Sequence, residues 1–245
     1  MNFEPEALTR IKQIYDDTVI PRLHTVPGCL CACVIINTIR DGEGMSLTLW
    51  NSREDAENYE NSGVYNELLQ EIQPYLTDSS DWKVQLSKDL KVEFRPVSDE
   101  PEITAYDSLV QSGKDVPPHD ISDDLHVKIV TIKVQPEKLD EFRDIYSEKV
   151  IPALSMLKGC LYIYLTESSA DEKEVLSVTI WNSKEAVDEY ESSGFYNELI
   201  DKLKHTFAGL SQWKMALDDK ETERSVTSED VSVGYYKVVT GKSFR

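Results

Sequence analysis

Basic residues are scarce in this chain: 26 Lys and Arg stand against 45 Asp and Glu, a formal net charge of −19 over 245 residues. Such a balance repels phosphate backbones and anionic lipid headgroups, which argues against nucleic acid and membrane surfaces as partners. Long apolar runs are missing too. None approaches the roughly 20 residues that cross a bilayer, and MNFEPEALTR at the start has neither the basic nor the apolar stretch of a secretory leader. A cytoplasmic location is therefore expected. Four cysteines are too few for a disulfide framework. No grouping of His, Cys and carboxylates has the spacing of metal ligands, so neither metal nor cofactor is expected. Cys29, Cys31 and Cys33 alternate with Leu30, Ala32 and Val34 in GCLCACVII, which on a strand places the three thiols on one face. They read as small buried apolar side chains, with a thiol redox site as the alternative.

What the chain does contain is a repeat. WNSREDAENYENSGVYNEL (50–68) returns as WNSKEAVDEYESSGFYNEL (181–199), with 12 of 19 positions identical. The same displacement of 131 residues, without a gap, carries Pro5 to Pro136, Tyr15 to Tyr146, Pro21 to Pro152, Gly28 to Gly159, Cys29 to Cys160 and Trp82 to Trp213. All four tryptophans are thereby paired. Equal loop lengths throughout imply equal folds.

In the second copy, HVKIVTIKV (126–134) reads as a first strand. A helix starts near Pro136 and buries Leu139, Phe142, Tyr146 and Val150, spaced three and four apart, until Pro152 ends or kinks it. Leu8, Ile11, Tyr15 and Val19 repeat the stripe. CLYIYLTE and VLSVTIW form a hairpin, matched by CLCACVIIN and MSLTLW. Asn182-Ser183 and Asn51-Ser52 cap a short helix that closes at Gly194 or Gly63. A further helix follows from about Phe195 to His205, and a strand around Trp213 completes a β-α-β-β-α-β unit. Residues 107–124 lack periodicity, contain Pro117-Pro118, and read as linker between module 1 (1–106) and module 2 (125–245). Module 1 has no room before Pro5 for a first strand. The terminal VSVGYYKVVTGKSFR, whose Lys237–Thr240 resembles Lys128–Thr131, either covers the edge this leaves or is an ordinary final strand echoing EITAYDSLV (102–110).

A strand ending in Trp, then N-S-K/R-E, an alternating helix, Ser-Gly and aromatic-Y-N-E-L resembles the antibiotic biosynthesis monooxygenase (ABM) domain family, over roughly residues 1–95 and 125–217. The resemblance implies an α+β fold of two tandem ferredoxin-like modules that pair as an intramolecular pseudo-dimeric α/β barrel. It also implies a pocket between sheet and helices in each half. Members include cofactor-free oxygenases of phenols or quinols and haem-degrading enzymes. The Asn, Trp and His of the haem-degrading members fall on Ile129, Tyr190 and Ile200, and the last two on Tyr59 and Leu69 in module 1, so that mechanism is disfavoured.

A cofactor-free oxygenase must take a phenolic proton, hold the ring and exclude water. Tyr59, Asn66, Tyr190 and Asn197 are the candidate catalytic residues, and Trp50, Tyr65, Trp181 and Tyr196 the candidate substrate-binding ones. Core packing and helix capping are the alternative roles. None of His24, His119, His126 and His205 has a His in the other copy. The repeated Glu60 and Glu191, and Glu67 and Glu198, read as solvated helix faces. Two functions follow: a cofactor-independent monooxygenase for a small aromatic or quinol, or a non-catalytic module that binds an apolar ligand or a partner. The pseudo-dimer leaves further self-association open.

Overall fold

Period-four apolar stripes and period-two strands recur in both copies, and the computed structural model, which describes residues 1–77, 84–86, 92–94, 106–112, 125–168, 173–208 and 231–244, shows what they build. Helix α1 (Leu8–Ile14) runs through a π-helical turn at Tyr15–Val19 into α2 (Ile20–His24). In module 2, α5 (Leu139–Ile145) runs through Tyr146–Val150 into α6 (Ile151–Ser155). Ile11, Tyr15 and Val19, like Phe142, Tyr146 and Val150, are buried. Pro21 and Pro152 do not end the helix. The wider π turn just ahead of each shifts the hydrogen-bond ladder by one residue, so the missing N–H and the ring's clash with the preceding turn are absorbed and the helix continues for another turn.

Ser52 and Ser183 accept from the backbone N–H groups of Asp55 (3.1 Å) and Ala186 (3.2 Å), capping α3 (Arg53–Asn61) and α7 (Lys184–Ser192). Gly63 and Gly194, at φ 81° and 79°, turn the chain into α4 (Val64–Ile72) and α8 (Phe195–Leu203), a conformation that glycine adopts without strain. Among the described residues no helix is long and apolar enough to cross a membrane.

The strands are β1 (Cys29–Asn37), β2 (Gly44–Trp50), β3 (Val84–Leu86), β4 (Val92–Phe94), β5 (Tyr106–Ser112), β6 (His126–Lys133), β7 (Cys160–Ser168), β8 (Glu174–Trp181) and β9 (Val231–Ser243). Among the described residues, β3 and β4 pair with each other alone. The other seven form one sheet in the order β2-β1-β9-β6-β8-β7-β5, antiparallel at every pairing. Both modules share it. Tyr164 of β7 lies close enough to Cys31 of β1 for their ionisations to interact, although β9, β6 and β8 stand between these strands in sheet order. The sheet therefore curls into a barrel. Its interior holds Cys33, Ile35, Val127, Ile129, Tyr236 and Val238, while the helices pack outside in one cluster per module.

Strand exchange joins the modules. β9 pairs with β6 of its own module and with β1 of module 1, and β5 pairs with β7 of module 2. The two exchanges are equivalent down to a bulge, between Val34 and Ile35 opposite β9 and between Leu165 and Thr166 opposite β5. Residues 106–112, expected as module end and linker, are thus a strand: the open edge of β7 offers a ladder of backbone partners that sequence periodicity does not display. The tail covers β1, whereas a first strand of module 1 belongs beside β2. Met1, Asn2 and Phe3 sit there, Met1 exchanging backbone hydrogen bonds with Gly44, and Asn2 and Phe3 bridging to Glu43 and Leu76 as Lys133 and Val134 pair with Glu174 and Phe207. Trp82 and Trp213, with the strand expected around the latter, lie outside the described residues.

A second bulge corrects the reading of the thiols. Register slips between Cys29 and Cys31, so Cys29 joins Ala32 and Val34 under the helices while Cys33 points into the barrel beside Ile35. All three are buried, and burial raises the Cys29 thiol to about 12; a thiol held protonated is a poor nucleophile.

Where β9 crosses β1, Gly241 faces Cys33, and a Cβ there would lie 2.5 Å from the Cys33 Cβ and 3.1 Å from the Ala32 carbonyl oxygen. Gly241→Val should cost about 1–3 kcal/mol by overpacking, lowering Tm by several degrees in calorimetry. An unchanged Tm would mean that β9 does not lie against β1 in solution.

Candidate functional site

The outer face of β6 in module 2 presents Lys128, Val130 and Ile132 toward the helices at period two, while Val127 and Ile129 face the barrel. On neighbouring β8 the same face carries Ser177, Thr179 and Trp181, all buried. Helices α5 to α8 close over them with Tyr146, Val150, Leu154, Tyr190, Tyr196, Leu199, Ile200 and Leu203. The cavity that remains is about 30 Å³, room for about one water.

Two polar pairs are built identically in both modules. Trp181 Nε1 donates to Thr179 Oγ1 at 2.8 Å, as Trp50 does to Thr48 at 2.9 Å. Tyr146 and Ser177 share a 2.6 Å hydrogen bond, and Tyr15 is likewise hydrogen-bonded to Ser46. The aromatic wall repeats as well. Trp181 stacks on Tyr190 at 5.2 Å, and Tyr196 meets Tyr190 edge-on at 5.8 Å; Trp50, Tyr59 and Tyr65 do the same at 4.9 and 6.0 Å. Six of the eight candidate residues are thereby gathered at the two equivalent places. Asn66 and Asn197 are not among them, since both are exposed on their helices.

Module 2 adds a feature of its own. Lys128 is 2% exposed, and its Nζ donates to Glu191 Oε1 at 2.5 Å. Tyr235 of β9, opposite Lys128 in the ladder, donates its hydroxyl to the same oxygen at 2.5 Å. The ammonium lies over the rings of Tyr196 (3.7 Å), Tyr190 (5.1 Å) and Tyr235 (5.5 Å), so the charge removed from water meets a carboxylate and three π faces. Burial lowers the Lys128 pKa more than Glu191 restores it. Glu191, expected on a solvated face, is thus the partner of a buried cation; its counterpart Glu60 is exposed, as are Glu67 and Glu198. One signal in the sequence pointed here: HVKIVTIKV is apolar on both faces, and a lysine inside such a run is buried and must be paired.

Histidine is absent from this pocket's lining. His24 stacks on Phe244 at 5.1 Å, His205 pairs with Glu141 at 2.9 Å, His126 opens β6, and His119 lies outside the described residues. A larger cleft of about 260 Å³ lies in module 1, lined by Asp16, Ile20, Pro21 and His24 on one side and by Thr240, Gly241, Lys242 and Phe244 on the other. It contains none of the repeated aromatic residues and no buried charge.

Burial keeps the pocket phenols protonated. It raises Tyr146, Tyr190 and Tyr196 above the ordinary range, and Tyr15 to about 12. A folded state that holds these protons longer than the unfolded chain has its full stability below about pH 10 and loses it as pH climbs, by about 1.4 kcal/mol per unit for each such group. Lys128, with its pKa lowered, contributes in the opposite sense, but it is one group against several. Alkaline titration should show tyrosine ultraviolet ionisation coinciding with loss of circular dichroism; rings that ionise at ordinary pH in the folded protein would show a wet pocket.

Residues 125–202 match the antibiotic biosynthesis monooxygenase (ABM) family. Comparison with curated proteins returns no match. Among solved structures, a candidate monooxygenase of Fusobacterium nucleatum superposes with a TM-score of 0.65 over 99% of this chain and 90% of its own, at 12% identity. One from Lactobacillus acidophilus gives 0.60 over 100% and 93%, at 8% identity. An anthrone oxidase-like protein gives 0.55 over 96% and 88%, at 14% identity. At such identities the likeness speaks for the fold, and it extends over the whole tandem arrangement. The family match thus covers residues 125–202, and the likeness over the whole chain is one of fold, two tandem ferredoxin-like modules.

Proposed function

We propose that module 2 is a cofactor-independent monooxygenase site for a small phenol or quinol, bound between the sheet and helices α5 to α8. The observation that carries this reading is an aromatic wall, Trp181, Tyr190 and Tyr196, closed over a buried cation in an otherwise apolar pocket. In such chemistry the substrate supplies the electrons. A phenol with a free para position takes up one O₂ and becomes the quinone, releasing one water, so that one oxygen atom enters the product and the other leaves reduced. The protein's share is to hold the ring, keep water away and favour the anion that gives its electron to oxygen. Trp181 and Tyr190 offer the ring a stacking surface, and Tyr146 and Ser177 offer hydrogen bonds within a dry wall.

A second reading is a non-catalytic ligand-binding module, favoured by the lack of a histidine base in this pocket's lining; on either reading a side chain or helix must move, since about 30 Å³ does not admit an aromatic ring. Oxygen uptake with a panel of phenols, quinols and anthrones separates the two. The oxygenase reading expects uptake that falls about tenfold or more in Tyr190→Ala and Trp181→Leu, with a much smaller effect of Tyr59→Ala. No uptake, together with a higher Tm in the presence of the same compounds, favours the binding module.

A further inference from the structure

Lys128 lines the pocket and pairs with Glu191, whose side chain is 23% exposed, and a phenol already touches the pair. The Tyr235 hydroxyl and the Lys128 ammonium converge on one carboxylate oxygen, each at 2.5 Å. We propose that Lys128 and Glu191 form a charge-neutral proton acceptor for the hydroxyl of a phenolic ligand, which takes the place of the Tyr235 hydroxyl, gives its proton to Glu191 and remains as phenolate on Lys128. The inference rests on the reading of this pocket as the aromatic-ligand site and adds which group ionises the ligand and which holds the anion.

Charge conservation makes the pair suited to this. The buried ammonium and the partly exposed carboxylate sum to zero. When a neutral phenol hands its proton to the carboxylate, the O–H bond breaks, a carboxyl O–H forms, and the electron pair stays on the phenolate oxygen beside the ammonium. The sum is still zero, so the dry pocket never holds a net charge, whose desolvation is the main obstacle to ionising a group in an apolar site. The surroundings do not compete. Groups facing the pair are Tyr190 from α7, Tyr196 from α8, Tyr235 from β9 and, more distantly, Tyr146 after α5. Burial holds Tyr190, Tyr196 and Tyr146 protonated, leaving a more acidic ligand phenol as the group that titrates.

Para-nitrophenol tests this, because its anion has its own visible absorbance, and under nitrogen no oxygenation intervenes. The wild-type protein should bind it as phenolate at least about one pH unit below the free compound's midpoint, a tenfold or greater gain in ionisation. Tyr235→Ala, which vacates the place, should bind it more tightly. Lys128→Arg should keep the shift, and Lys128→Met should abolish it. Should Lys128→Met misfold, the neutral double variant Lys128→Met/Glu191→Gln serves instead. Glu191→Gln should still bind phenolate, but with affinity that rises as pH rises, since the proton then goes to solvent. Absence of binding, bound compound that stays protonated, or an equal shift with Lys128 replaced would overturn the proposal even if oxygen uptake is found. Nitrophenolate binding without any oxygen uptake would overturn the oxygenase reading and leave this one standing.

Discussion

Everything in this molecule depends on β9 lying between β1 and β6. Its thirteen residues satisfy backbone donors and acceptors of both modules at once, and the β5–β7 ladder repeats the exchange on the opposite side. Neither module owns a complete sheet, because the fourth strand of each lies against the other. The interior core, with Cys33 and Ile35 from one half and Val127, Ile129, Tyr236 and Val238 from the other, exists only once the exchange is made. Covalent linkage of the halves then turns what would be a concentration-dependent dimer contact into an intramolecular one.

With the barrel fixed in that way, the two outer faces are free to diverge. Both retain the Trp–Thr and Tyr–Ser hydrogen bonds and the stacked Trp–Tyr pair, features of the shared framework. They differ in dryness and charge. Trp181 is fully buried and Tyr190 nearly so, whereas Trp50 and Tyr59 are only partly covered. Glu191 meets Lys128 and Tyr235, and Glu60 meets solvent. An ion pair is stronger where water is largely excluded, and of the two halves it is module 2 that holds one against its aromatic wall.

The repeat alone determined much. An ungapped displacement of 131 residues carried the helix stripes, the serine caps, the glycine corners and the two hairpins, because each is a local matter of side-chain period, capping and backbone conformation. Six of the eight aromatic and polar residues singled out from the repeat do meet at the two equivalent places, since the repeat sets each at the same position of equivalent elements that pack alike in both modules. Asn66 and Asn197 were legible as repeated but not as exposed, because the helix face turned outward is settled by what packs beneath it.

Tertiary structure decided the rest, and always through contacts distant in sequence. Residues 106–112 became a strand because β7 had an edge to offer, and the terminal strand chose β1 and β6 over the open side of β2. One extra residue at Leu30 sent Cys29 and Cys33 to opposite faces, which period-two counting does not foresee. Lys128, Glu191 and Tyr235 stand 63 and 44 residues apart along the chain, so no spacing rule joins them. Local sequence fixes which way each side chain points along its own element, but only the closing of the sheet determines which charge it meets, and how dry the place is where they meet.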